Sequence, residues 1–362
     1  MILFILIQIF FALPLAIDRH CYDLGYCKQF SLYLGSTWIG FFLCLNRIKK
    51  PDISIILFFS WLGVSYLLNP YKSGDPLEAL IIYTCYLVIY LAAKEHFTIN
   101  NLTMCLEILS YILFILFLYD YWGTFVTMIK THYYSIITNR YKGNFGQSGI
   151  YGSWLAMAMP ILLIRRRWIA CFIGVFLLWL TGSRASIIGL GLAILVLVYI
   201  KIKTKWAKYT VSALILILLA LLIYVFFPKV LSDQTERLSY WNSTVNIIYD
   251  NPITGWGIGS FRIHYPKYRE SCIFEIFNNP NIDLLQAHSM PLQMISELGI
   301  IGIILFIFML YRHLKSATNW GLIAAVFACI MINITDITFY YVPIGFMLFI
   351  YLGLMAKKKE NI

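Results

Sequence analysis

Apolar residues along this chain come in long blocks, not in alternation. Blocks fall near 2–17, 30–45, 53–69, 77–93, 101–122, 148–164, 168–182, 185–200, 209–227, 290–311, 320–335 and 339–355. A helix needs roughly 20 apolar residues to cross a bilayer, so most of these blocks suit one crossing each. The run 168–200, WIACFIGVFLLWLTGSRASIIGLGLAILVLVYI, is the awkward one. It is too long for one crossing and short for two, and its single charge, Arg184, sits near the middle. Either it is one interrupted helix, or it is a hairpin with Arg184 at the tip. The basic residues decide. With a hairpin, Arg47, Lys49, Lys50, Lys94, Arg165, Arg166, Arg167, Lys201, Lys203, Lys205, Lys208, Arg312, Lys315 and Lys357 to Lys359 all fall on one side, in short connections, as cytoplasmic loops require. Without it, the two richest clusters oppose each other. The pattern predicts about twelve spans, both termini cytoplasmic, and Arg184 facing outward.

Composition sharpens this. The chain is 60% hydrophobic and 12% charged, too apolar for a soluble core. It reads as an all-α polytopic membrane protein, with residues 1–362 forming a single membrane domain. The net charge of +11 is explained by positive inner loops and does not call for a nucleic-acid partner. The first block has no Lys or Arg before it and reads as a retained helix, not a cleaved signal. Cys44, Cys85, Cys105, Cys171 and Cys329 lie in or beside apolar blocks as packing residues. Cys21 and Cys27 share one loop and could pair if it faces an oxidising compartment. No Cys/His spacing suggests a structural metal.

Two long segments remain for the outer face, 123–147 and 228–289, the latter between spans 9 and 10. Long connections with mixed charge and aromatics commonly carry function. Arg184 follows Thr181, Gly182 and Ser183, which supply a turn and hydroxyls. It is either a snorkelling anchor or a phosphate ligand, since guanidinium matches phosphate oxygens bidentately. Residues 236–249 form an amphipathic helix with Leu238, Trp241, Val245 and Ile248 on one face and Arg237 near its start. GWGIGSF reads as a turn, because it lacks the preceding strand and third spaced glycine of a dinucleotide site. His288 stands where the loop meets a membrane helix and can take a proton from a sugar hydroxyl. Glu297, on that helix, is either an orienting partner or a structural residue. Asp336 occupies the short outer turn between the last two spans. Arg140, Lys142, Arg262, His264, Lys267 and Arg269, set among tyrosines, suit a glycan, a phosphate or membrane lipids.

The order TGSRAS, then R-L-x-x-W-x-x-x-x-x-I-I-x-x-N-P-x-x-G-x-G, then H-S-x-x-L-Q-x-x-x-E-x-G-x-x-G resembles the O-antigen ligase/polymerase superfamily over roughly residues 145–345. The spacing from His288 to Gly299 and the aspartate at Asp336 are similar to the ligases. Ser289 stands where the family usually has asparagine. The resemblance implies metal-independent, cofactor-free, inverting glycosyl transfer at the periplasmic face of a bacterial inner membrane. The donor it implies is a glycan on undecaprenyl pyrophosphate. Arg184 and Arg237 would bind the pyrophosphate and His288 would activate the acceptor; Asp336, and Arg140 from the basic set above, are the further substrate-binding candidates. That acceptor is lipid A-core in a ligase, another lipid-linked glycan in a polymerase, and a protein hydroxyl in an oligosaccharyltransferase. A lipid-linked glycan flippase is the alternative outside enzymes, but it calls for ionisable residues in mid-span, whereas here they crowd the outer face.

Overall fold

The structure is a computed structural model, and it describes residues 24–44, 50–131, 140–206, 209–210, 212–213, 235–270 and 286–357. In chain order the helices are α1 (Leu24–Cys44), α2 (Ile53–Leu68), α3 (Asp75–His96), α4 (Ile99–Thr131), α5 (Ser148–Ile164), α6 (Trp168–Thr181), α7 (Arg184–Lys201), α8 (Thr235–Asp250), α9 (Phe261–Tyr268), α10 (Met290–Ser316), α11 (Trp320–Ile334) and α12 (Val342–Met355). Among the described residues there is no strand. Each predicted apolar block that falls on described residues is helical. The blocks at 2–17 and most of 209–227 lie outside them, as does Cys21 and with it any Cys21–Cys27 pair. One boundary differs from expectation. α4 continues through Thr131 into the segment expected to begin a loop at 123, because TFVTMIKT contains no helix breaker.

Three of these helices are long and apolar enough to cross a membrane: Asp75–His96, Ile99–Trp122 and Met290–Ser316. The others are shorter, and their surfaces explain their composition. α6 turns Trp168, Ile169, Phe172, Val175 and Trp179 outward, and α10 exposes Ile300, Ile304, Ile307 and Tyr311 at helical spacing. Such stripes are unfavourable in water and natural against lipid. α12 is buried along its whole length and α5 from Ile150 to Leu162, so these two helices form the centre of the bundle. Cys85, Cys105, Cys171 and Cys329 are buried and unpaired, as packing residues should be.

Residues 168–201 are two helices, not one. Thr181 closes α6, Gly182 turns the chain at φ 57°, and Arg184 opens α7. The arms pack on α5 more than on each other. Gly174 of α6 faces Met159, where a Cβ would lie 2.3 Å from the sulfur. The start of α7 meets α5 at Gly152, where a Cβ would lie 2.8 Å from Ser186 Oγ, and its far end clusters with Ile164 through Ala193 and Leu197. α7 is therefore parallel to α5 and α6 antiparallel to it. Arg165 to Arg167 and Lys201 consequently lie at the same end of the bundle. Arg312 joins them by pairing with Asp52 at 3.0 Å, and Lys94 by reaching the Lys50 carbonyl.

Candidate active site

At the opposite end, α5 begins with two small residues one turn apart on one face, Gly149 and Gly152. Gly149 faces Asp336, whose Oδ2 lies 3.4 Å from where a Cβ would stand, and Gly152 faces Ser183 and Ser186. The glycines let the α11–α12 turn and the α6–α7 tip settle on neighbouring patches of one helix face. The positive end of the α5 dipole also suits the Asp336 carboxylate.

The α6–α7 tip is held by its own hydroxyls. Thr181 Oγ1 donates to the Leu178 carbonyl at 2.7 Å and accepts from the Ser183 amide at 3.2 Å, while Ser183 and Ser186 hydroxyls lie 2.8 Å apart. Arg184 follows at the surface as the first residue of α7. Arg140 lies alongside the turn, with its Cγ 3.4 Å from where a Gly182 Cβ would be, and the Tyr141 amide donates to the Leu180 carbonyl at 3.0 Å. The tip therefore carries two guanidinium groups, Arg184 and Arg140.

His288 approaches from the other side. Its backbone is left-handed at φ 52°, a conformation a residue with a Cβ adopts only when its surroundings hold it there. Those surroundings are specific. The Ala287 amide donates to Gln293 Oε1 at 3.0 Å, Ser289 Oγ donates to the Ile334 carbonyl at 2.9 Å, and the Met290 amide donates to the Asp336 carbonyl at 3.1 Å. The imidazole stacks on Tyr240 of α8, with centroids 5.7 Å apart and planes at 25°. Arg237, one helical turn earlier, donates from Nη1 to the Thr335 carbonyl at 3.1 Å. Burial and the neighbouring Arg237 charge push the imidazole pKa below its ordinary value, against an opposing pull from Asp336. The structure thus brings His288, Arg237 and Asp336 into one cluster, beside the tip that carries Arg184 and Arg140.

Three of the remaining basic candidates of the second segment are engaged elsewhere. Arg262 pairs with Asp75 at 3.8 Å, Lys267 with Asp250 at 3.9 Å, and the His264 ring lies 4.2 Å from that of Trp256. α8 also faces the opposite way from what its apolar residues suggest. Ser239, Tyr240, Ser243, Thr244 and Ile247 are buried, while Leu238 and Val245 are exposed. Small hydroxylated residues allow α8 to lie close against α10.

The glycine-rich turn has a structural role. α10 breaks at Gly299, with φ 67°. The break frees backbone groups, and the turn supplies partners for them. Trp256 and Gly257 amides donate to the Ser296 and Glu297 carbonyls at 3.0 and 2.8 Å, and the Ile300 amide donates to the Pro252 carbonyl at 2.9 Å. Trp61 Nε1 takes the Leu298 carbonyl at 2.9 Å. Only glycine fits here, since a Cβ at 299 would lie 2.1 Å from the Ile253 carbonyl oxygen. Glu297 belongs to this lock. Its carboxylate accepts from the Gly259 amide at 3.2 Å and from Gln293 Nε2 at 3.0 Å. Its carboxylate therefore links the turn to Gln293 within the bundle. Tyr240 and Gln293 had no role in the sequence reading. Their signals were modest: an aromatic one turn beyond Arg237, and a glutamine inside the histidine motif.

Comparison with known proteins points the same way. Residues 169–307 match the O-antigen ligase family, a stretch that includes Arg184, Arg237, the glycine turn and His288. A protein of Rickettsia conorii named as a polysaccharide ligase is 37% identical over 84 residues, 23% of this chain. That match spans 20% of the relative's own length. Through this segment the chain is similar to the O-antigen ligase family.

Proposed function

We propose that this protein transfers a glycan from undecaprenyl pyrophosphate to an acceptor hydroxyl at the periplasmic face of a bacterial inner membrane, and that the acceptor is lipid A-core. The carrying observation is the convergence of one strained histidine and several arginines at the end of the bundle opposite its basic loops. By the positive-inside rule, those loops are cytoplasmic. The short hairpin arms support a recessed site. α6 has 14 residues and rises about 21 Å, less than a hydrocarbon core of about 30 Å, so Arg184 lies near head-group depth. A lipid-linked pyrophosphate would present its charge at that level.

In this reading a ring nitrogen of His288 takes the acceptor proton as the acceptor oxygen bonds to the anomeric carbon. The bond from that carbon to the pyrophosphate oxygen breaks, and its electron pair leaves with the pyrophosphate. Attack from the face opposite the leaving group inverts the anomeric centre. Arg184 and Arg237 offset the charge that develops, with Arg140 beside them. Asp336 helps hold the imidazole through its charge. A lowered histidine pKa keeps the base neutral at periplasmic pH.

Deleting the gene and separating the lipopolysaccharide by electrophoresis tests the proposal. Loss of the polysaccharide ladder with an intact core, restored by the wild-type gene, is the expected result. Core bearing a single repeat unit would identify a polymerase instead. An unchanged ladder would remove both.

A further inference from the structure

We propose that Gln293 is a positioning residue for His288, and that Glu297 together with the glycine turn sets the direction in which its amide points. The inference rests on the reading of His288 as the base. Gln293 is only 4% exposed. It acts on the backbone. The left-handed φ of His288 is held on its N-terminal side by the hydrogen bond from the Ala287 amide to Gln293 Oε1.

A primary amide has an accepting end and a donating end of nearly the same shape, and only the oxygen can satisfy the Ala287 N–H. Glu297 removes the ambiguity. It lies four residues further along the same helix, is 3% exposed, and presents an accepting oxygen to Gln293 Nε2 at 3.0 Å. Its second oxygen is occupied by the Gly259 amide at 3.2 Å. Gly259 is itself wedged against α3, where a Cβ would lie 2.7 Å from the Asp75 carbonyl oxygen. Direction thus passes from the docked turn to Glu297, from Glu297 to Gln293, and from Gln293 to the peptide before His288. This accounts for a glutamine and a glutamate following the histidine at these spacings.

The chemistry supplies a distinctive test, because the two residues can be exchanged. With Gln293→Glu and Glu297→Gln together, the carboxylate now at 293 accepts from Ala287 and from the new amide, whose oxygen accepts from Gly259. All three hydrogen bonds survive. Either substitution alone breaks one of them: two carboxylates face each other, or one amide must turn its nitrogen toward an N–H. The measurement is residue-resolved hydrogen exchange of the Ala287 amide in the detergent-purified full chain, alongside the polysaccharide ladder in the deletion strain. Exchange should quicken by about tenfold in Gln293→Leu and in Glu297→Gln alone, where the amide at 293 is turned by its neighbour, consistent with one lost hydrogen bond, and return in the double swap. The ladder should follow the same order. Unchanged Ala287 exchange in Gln293→Leu would overturn the proposal. So would a double swap as defective as Glu297→Gln alone, or a full ladder in a variant that has lost protection. If exchange behaves as described but even the wild-type gene restores no ladder, the transferase reading fails while the positioning of His288 stands.

Discussion

The two ends of this bundle use the same residue types for different ends, and two histidines show the contrast. His313, near the basic end, is 2% exposed, helical, and bonded through both ring nitrogens, to the Tyr90 hydroxyl at 3.1 Å and the Met309 carbonyl at 2.7 Å. His288 is partly exposed and left-handed, and among the described residues neither ring nitrogen forms a hydrogen bond. The arginines divide the same way. Arg312 pairs with Asp52, and Arg167 with Glu107 at 3.2 Å, whereas Arg237 contacts a backbone carbonyl and leaves its charge without a carboxylate in hydrogen-bond range among the described residues. A satisfied histidine stabilises a fold. A histidine held in strain, with its ring polar atoms open, is arranged for something that arrives later.

Replacing each histidine sharpens the contrast most. His288→Ala should reduce transfer by about 10²–10⁴-fold, the usual contribution of a positioned base, with the protein still folded. His313→Ala should leave transfer per folded molecule near wild type. It should lower stability by about 1–3 kcal/mol, because the Tyr90 hydroxyl loses its partner in a buried setting. Transfer in isolated membranes and thermal unfolding in detergent separate the two. Equal loss of transfer in both variants would erase the distinction.

The arginines come next. Arg184→Ala should cost about 10²–10³-fold in transfer, as loss of a charge-stabilising donor does, and Arg184→Lys should recover little, since a point charge does not reproduce the bidentate fork. Arg312→Lys should retain near-normal transfer. Near-normal transfer in Arg184→Lys would reduce Arg184 to an anchor.

Much of this was legible in the sequence, for physical reasons. Membrane helices are apolar on all sides, so block length and loop charge sufficed for the helices and for the hairpin at Arg184. Hydroxyls before a mid-run arginine signalled a turn, and the structure shows Thr181 and Ser183 satisfying it. The face of α8 was not legible. Periodicity reports where apolar residues lie, and in lipid an apolar face is as readily outward as inward. Gln293 was hidden for another reason: the group it holds beside His288 is the Ala287 backbone amide, which leaves no trace in residue type. The convergence of Arg140, Gly182, Gly149 and Asp336 needed tertiary packing to be seen.

The break in α10 tests whether the site end depends on its lock. Gly299→Ala places a Cβ against the Ile253 carbonyl oxygen in a left-handed conformation. With φ 67° and ψ −174° this backbone is open essentially to glycine alone, so the conformational cost is about 1–3 kcal/mol, and the clash adds to it. Yield and thermal midpoint should fall, and so should protection of the Trp256 and Gly257 amides, while the Arg312–Asp52 end keeps its protection. Uniform loss of protection would show that the two ends unfold as one unit.

A subtler prediction uses pH. The base must be neutral to accept a proton, so transfer should fall as pH drops through the His288 pKa. Burial, then Arg237, holds that pKa below the ordinary value near 6.5, so the acid limb should lie below it. Asp336 pulls the other way. Asp336→Asn should therefore move the limb to still lower pH, whatever it does to the maximal rate. A limb that stays fixed would show that Asp336 serves only through its backbone carbonyl.

The smallest effect belongs to the other end. Burial pushes Asp52 up, but hydrogen bonds from Arg312 and Ser54 outweigh it and hold the carboxyl at about 2. Its folded pKa is depressed, so its contribution to stability is complete above the ordinary value near 3.8 and is lost as pH falls toward 2. Asp52 also caps α2 through the Ser54 amide at 2.9 Å, a bond an asparagine can keep. Asp52→Asn should thus remove only the ion pair, which is largely exposed and screened by salt. The thermal midpoint at neutral pH should drop less than in His313→Ala, the gap from wild type should close below pH 3, and high salt should narrow it. Transfer should not change. A loss of transfer in Asp52→Asn would mean that the basic end is coupled to the chemistry, and the division between a stabilising end and a reacting end would have to be abandoned.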